Sequence, residues 1–147
     1  MILARKANLV LENKSIINLL RENNLENEIK DDSISYILED NENIIGCSNF
    51  RFVSDYAMIN FLVIDRSRRG ENLGDGLLRA VLNYCLRSGI KKAVYVGNSK
   101  YFLKKGFTKS EDYDEKLSLI TTRDKTDILI CDIDAFFDRG CGFCKRS

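Results

Sequence analysis

Histidine is absent from all 147 residues, and so is proline. Without histidine the chain builds no Ser-His-Asp triad, no Cys-His pair and no His-ligated metal site. Without proline its turns rest on glycine, asparagine and aspartate, and no proline-rich linker divides it. No apolar stretch approaches the roughly eighteen residues that a membrane-spanning helix needs. The opening MILARKANL shows neither a signal-peptide core nor a cleavage site. A strong charge of either sign is missing too. The 23 basic and 22 acidic residues give a net charge of +1, which argues against DNA or an anionic membrane as the dominant partner. The expectation is a cytoplasmic protein with no nucleic-acid and no membrane partner.

The composition, 44% hydrophobic and 31% charged over 147 residues, suits a soluble domain large enough to bury a proper core. The reading is one domain over residues 1–134 and a cysteine-containing tail over 135–147. Ile2 to Ala7 reads as a first strand. Residues 14–25, KSIINLLRENNL, place Ile16, Ile17, Leu20 and Leu25 on one face of an amphipathic helix. A meander follows, with strands at Ser33–Glu39, Ile44–Val53 and Ala57–Ile64. The turns between them are Asp40-Asn41-Glu42-Asn43 and Ser54-Asp55. Short connections make these strands antiparallel neighbours.

The stretch 57–89 is the most informative. An apolar run to Ile64 passes through an arginine- and glycine-rich turn, Asp65 to Gly74. Apolar residues then recur at helical spacing, at Leu73, Leu77, Val81 and Tyr84 or Cys85, and the run ends at Ser88-Gly89. With the next apolar run, Ala93 to Val96, this is a βαβ unit whose strands are expected to be parallel. The first turn of a helix has backbone N–H groups without internal partners, and the peptide dipoles add partial positive charge there. Glycines at 70 and 74 would admit a phosphate, and Arg66, Arg68 and Arg69 supply charge, so a diphosphate fits this corner. The alternative is that the glycines only turn the chain and the arginines are solvated.

Residues 62–78, LVIDRSRRGENLGDGLL, resemble motif A of the GNAT superfamily of N-acetyltransferases. Leu62 and Ile64 take its strand positions, and Arg69-Gly70-Glu71-Asn72-Leu73-Gly74 takes its loop. Residues 101–107, YFLKKGF, resemble motif B, an aromatic on a short helix before Gly-Phe. The similarity spans roughly residues 3 to 133. It implies a mixed α/β sheet in the GNAT fold, an antiparallel meander followed by a βαβ crossover with splayed central strands. It implies acetyl-CoA as co-substrate, with the pantetheine arm along Leu62, Val63 and Ile64 and the pyrophosphate on Arg69, Gly70, Asn72, Leu73 and Gly74. The reaction it implies is direct attack of a primary amine of a small molecule, amino acid or peptide on the thioester, without a covalent enzyme intermediate.

The chain departs from the family pattern in three respects. Asn72 stands where the family most often has a glycine, and asparagine tolerates positive φ. Phe102 stands where many members carry the tyrosine that protonates the leaving thiolate. The adjacent Tyr101 is the candidate acid, though helix geometry turns it roughly 100° away, and packing is the competing role for both rings. Many members place a glutamate on the motif A strand, where this chain has Met58 and Asn60. Glu39 and Asp55 are then candidate bases by proximity only. The YFLKKGF pattern and Ile45-Gly46-Cys47 also resemble the acetyltransferase domain of N-acetylglutamate synthases. These departures keep a second function open, a non-catalytic acetyl-CoA-binding sensor or interaction module.

After Val96, Gly97 to Lys105 reads as a short helix stopped by Gly106, and Phe107 opens a strand. SEDYDEK at 110–116 reads as a loop, and Leu117–Thr121 and Ile128–Ile133 as final strands around an RDKTD turn. Beyond Asp134 no periodicity is evident. Cys47, Cys85 and Cys131 read as buried small hydrophobes. Cys141 and Cys144 form one C-x-x-C pair, two ligands where a structural zinc needs about four. No metal site is therefore expected within the monomer, while a homodimer sharing two pairs, a disulfide and an inert tail all remain open.

Overall fold

A computed structural model describes residues 1–25, 32–97, 99–109 and 128–138. Among the described residues seven strands form one mixed sheet in the order β1-β2-β3-β4-β5-β7-β6. They are β1 (Ile2–Lys6), β2 (Ile34–Asp40), β3 (Asn43–Val53), β4 (Tyr56–Ile64), β5 (Lys92–Val96), β6 (Thr108–Lys109) and β7 (Ile128–Asp132). Helix α1 spans Leu9–Glu22, α2 Leu73–Arg87 and α3 Lys100–Lys104, with a 3₁₀ turn at Arg66–Arg68 and a further helical segment at 133–138. Loop 110–116, the strand expected at 117–121, the RDKTD turn and the Cys141/Cys144 pair lie outside the described residues.

The chain divides into two compact units. The first comprises Met1–Arg51 and Ile59–Asn83. In it β1 pairs antiparallel with β2, and β2 with β3. The β2–β3 connection has only Asn41 and Glu42 between the paired Asp40 and Asn43, and both have positive φ, +50° and +73°. That is the handedness a two-residue hairpin on twisted strands demands. The core of this unit sets Ile16, Leu19 and Leu20 of α1 against Ile37, Cys47, Phe61 and Val63 of the sheet. Each such side chain contributes about 1.5–3 kcal/mol by leaving water.

Helix α1 begins five residues before the expected position. Val10 and Leu11 are exposed, so the apolar stripe does not mark this turn; its cap does. The Asn8 side chain accepts from the Val10 and Leu11 backbone N–H groups, and Glu12 accepts from the Asn8 N–H at 2.8 Å. The helix also stops earlier than expected, at a left-handed asparagine. Asn24 has φ +58°, its N–H donates to Arg21 O, and Leu25 N–H donates to Leu20 O. This pairing is the Schellman closure. Helices α2 and α3 close the same way, at Gly89-Ile90 and Gly106-Phe107.

The second unit comprises Phe52–Met58 and Tyr84–Ser147. Strand β7 pairs antiparallel with both β5 and β6. Tyr56, Val94 and Ile128 form one cluster, and Phe102 packs on Tyr95 and Phe107 at centroid distances of 4.6 and 4.9 Å. Residues 133–138 are helical, with Ile133 and Phe136 buried.

Candidate functional site

Eight candidate cofactor-binding residues fall in one continuous piece of the first unit. Strand β4 delivers Leu62, Val63 and Ile64; Val63 and Ile64 are buried and Leu62 is half-buried. The strand ends where the Asp65 N–H reaches back to Ile45 O at 2.8 Å. Asp65 then caps the 3₁₀ turn, accepting from both the Ser67 N–H and hydroxyl at 2.9 Å. Those hydrogen bonds hold its carboxyl below the ordinary aspartate range.

The loop that follows depends on two left-handed residues. Gly70 has φ +89°, and a Cβ there would meet nothing within 4 Å. Asn72 has φ +62° and is exposed. Asparagine thus takes the positive φ at position 72 that its chemistry tolerates. Helix α2 starts at the next residue, so Leu73 and Gly74 lie in its first turn, both half-buried, where N–H groups lack intrahelical partners. Leu77, Leu78, Val81, Leu82 and Cys85 anchor the helix in the core. The arrangement is an exposed loop with two left-handed residues running into an anchored helix N-terminus, which fits a diphosphate.

The arginines divide into separate roles. Arg68 is committed to ion pairs with Asp40 at 3.0 Å and Glu71 at 2.9 Å. The Arg68 guanidinium and the N-terminal ammonium hold the Asp40 carboxyl below its ordinary range. Arg69 donates through Nε to Ile64 O at 3.2 Å and through Nη2 to Asn23 Oδ1 at 2.7 Å. It ties the loop to the end of β4 and to the C-cap of α1, and among the described residues it leaves three of its five donors for an anion. Arg66 is exposed. Asn23 and Asp40 escaped the sequence reading because they lie 46 and 28 residues from their partners, with no local signal.

The catalytic candidates are placed less favourably. Strand β4 reads YAMINFLVI and holds no carboxylate. Glu39 accepts from Arg5 at 3.0 Å, beside Glu12 on the same guanidinium, so it serves an ion-pair cluster. Phe102 is 4% exposed, which makes it a packing residue. Tyr101 lies on α3, half-buried, edge-on to Phe102 with Lys105 Nζ 5.7 Å from its ring centroid. The thiols of Cys47 and Cys85 are each pushed up to about 12 by burial, which removes them as nucleophiles at neutral pH.

Residues 9–107 match the family model for the acetyltransferase (GNAT) family. No curated protein sequence matches the chain. Among solved structures, the PaiA N-acetyltransferase of Thermoplasma acidophilum in complex with coenzyme A has a TM-score of 0.68 at 16% identity. That match covers 90% of this chain and 99% of the other. An acetyltransferase of the GNAT family from Staphylococcus aureus scores 0.67 at 15% identity, over 90% and 99% of the two chains. The N-acetylglutamate synthase of Neisseria gonorrhoeae, complexed with coenzyme A and N-acetyl-glutamate, scores 0.67 at 19% identity. There 90% of this chain covers 35% of the synthase.

Proposed function

This chain belongs to the acetyltransferase (GNAT) family, and on that premise we propose that it transfers acetyl from acetyl-CoA to a primary amine of a small molecule, amino acid or peptide. The observation that carries the reading is the pair of left-handed residues, Gly70 and Asn72, placed immediately before the first turn of α2. Gly70, Asn72, Leu73 and Gly74 would hold the pyrophosphate, Arg69 would add charge, and the backbone of Leu62 to Ile64 would pair with the pantetheine arm. Bound acetyl-CoA supplies an activated thioester. The chain's own contribution is to position the two reactants, which alone lowers such barriers substantially. A thiol with pKa near about 8.5 is a fair leaving group, so burial of Phe102 does not preclude turnover. Tyr101 is the residue nearest in sequence able to protonate the sulfur.

A second reading, a non-catalytic acetyl-CoA sensor, draws on the packed Phe102 and the carboxylate-free β4. Calorimetry with acetyl-CoA and a thiol-release assay across a panel of amines separates the two. Binding with turnover, both weakened at least tenfold by Gly70→Val, is the expected result. Binding without turnover on any amine favours the sensor, and no heat at millimolar acetyl-CoA removes both.

A further inference from the structure

Across β2, β3 and β4 of the first unit runs a row of uncharged polar side chains that the diphosphate loop does not use. Asn49 on β3 is fully buried. Its amide nitrogen donates to Ser33 Oγ at 2.9 Å and Ser35 Oγ at 3.0 Å, with the Ile34 carbonyl at 3.4 Å. A backbone carbonyl can only accept, so its presence fixes which end of the Asn49 amide faces β2. The Asn49 carbonyl oxygen therefore faces β4, where it accepts from Asn60 Nδ2 at 2.7 Å. The polarity passes along the row. Asn60 is obliged to turn its nitrogen toward Asn49, which leaves its own carbonyl oxygen and one N–H outside the row. Asn60 is half-buried, and among the described residues neither of those groups has a partner.

A buried polar row whose inner members are satisfied holds its last member in one orientation. The half-buried end of this one carries a hydrogen-bond acceptor on a strand without a carboxylate. We infer that the Asn60 carbonyl oxygen accepts a hydrogen bond from the amine nitrogen of the acyl acceptor, with Asn49 as the positioning residue behind it. This assignment rests on the acyl-transfer reading above. A neutral oxygen orients the amine without taking its proton, so the amine reaches the thioester already as the free base. The nitrogen lone pair forms the C–N bond, the C–S bond breaks, and the proton lost from nitrogen ends on sulfur, giving amide plus thiol. In a turned-over amine, kcat/KM then rises with pH up to the amine's own pKa.

The test titrates glycinamide, L-lysine and putrescine into ¹⁵N-labelled protein saturated with coenzyme A, following the side-chain amide signals of Asn60 and Asn49. At least one amine is expected to shift Asn60, and its affinity to fall at least tenfold in Asn60→Leu while coenzyme A binding is unchanged. Asn60→Ser, which keeps an acceptor oxygen, should recover part of the loss. No shift from any of the three amines, or an affinity indifferent to Asn60→Leu, overturns the assignment. If the chain takes up no coenzyme A the acyl-transfer reading fails by itself, and the same titration on the protein alone still decides the role of Asn60.

Discussion

Asn72 at φ +62° and Gly70 at φ +89° flank the exposed Glu71 in the loop before α2. A β-branched side chain in that left-handed region costs on the order of 1–2 kcal/mol, whereas glycine and asparagine enter it easily. Asn72→Val is therefore expected to lower the thermal midpoint and weaken acetyl-CoA binding, and Asn72→Gly to preserve both. Scanning calorimetry and ligand titration of the two variants check this; equal stability of Val and Asn would refute it. Single residues also mark the limits of a sequence reading. The tolerance of asparagine for positive φ was legible from its chemistry. The engagement of Arg68 with Asp40, and of Arg69 with Asn23, was not, because those partners meet only through the fold.

Strands and the long helix were legible because their signals are periodic. Strand β4 and helix α2 start or end within a residue of expectation, and α2 stops at the glycine expected. Helix α1 was displaced because an asparagine starts it and another stops it, and asparagine is equally at home in any turn. The six helical residues after β7 make fewer than two turns, too short a run to show a period. Between β3 and β4 the decisive contact is a missing side chain. A Cβ on Gly46 would lie 2.7 Å from Ile64 Cδ1, 3.2 Å from Val63 O and 3.3 Å from Leu38 Cβ. The methyl end can swing aside, but the backbone oxygen cannot. Gly46→Ala is expected to cost about 1–3 kcal/mol by overpacking, read as a lower urea midpoint. It should also displace the end of β4 that feeds the loop. An unchanged midpoint would mean the strands yield there.

For the molecule as a whole, acid sensitivity follows from which carboxyls are engaged. Glu12, Asp40 and Asp65 all have folded-state pKa values lowered from their ordinary 4.5 and 3.8. The main causes are, respectively, hydrogen bonds from Arg5, from Arg68 and from the Ser67 backbone. Lowered values mean that the unfolded chain binds protons first as pH drops. The stability they contribute is complete at neutral pH and is lost as pH falls below the ordinary carboxyl values. Thermal midpoints should thus decline between about pH 5 and pH 3, with a shallower decline in Arg5→Leu, which gives up Glu12's partner. A midpoint flat down to pH 3 would contradict the pairing. The fold class and the turn that runs from Gly70 and Asn72 into α2 were readable from the sequence because both rest on local spacing. The acid–base groups were not, since nothing in the order of residues says which carboxylate meets which guanidinium.

The shared manner in which α1, α2 and α3 stop has a practical corollary for anyone modifying this chain. Each exit is a left-handed residue followed by an apolar one whose N–H reaches back five positions, Leu25 to Leu20, Ile90 to Cys85 and Phe107 to Phe102. Extra residues spliced into any of those three joints would uncouple the reach-back and redirect everything downstream. An epitope or reporter graft is best kept away from them.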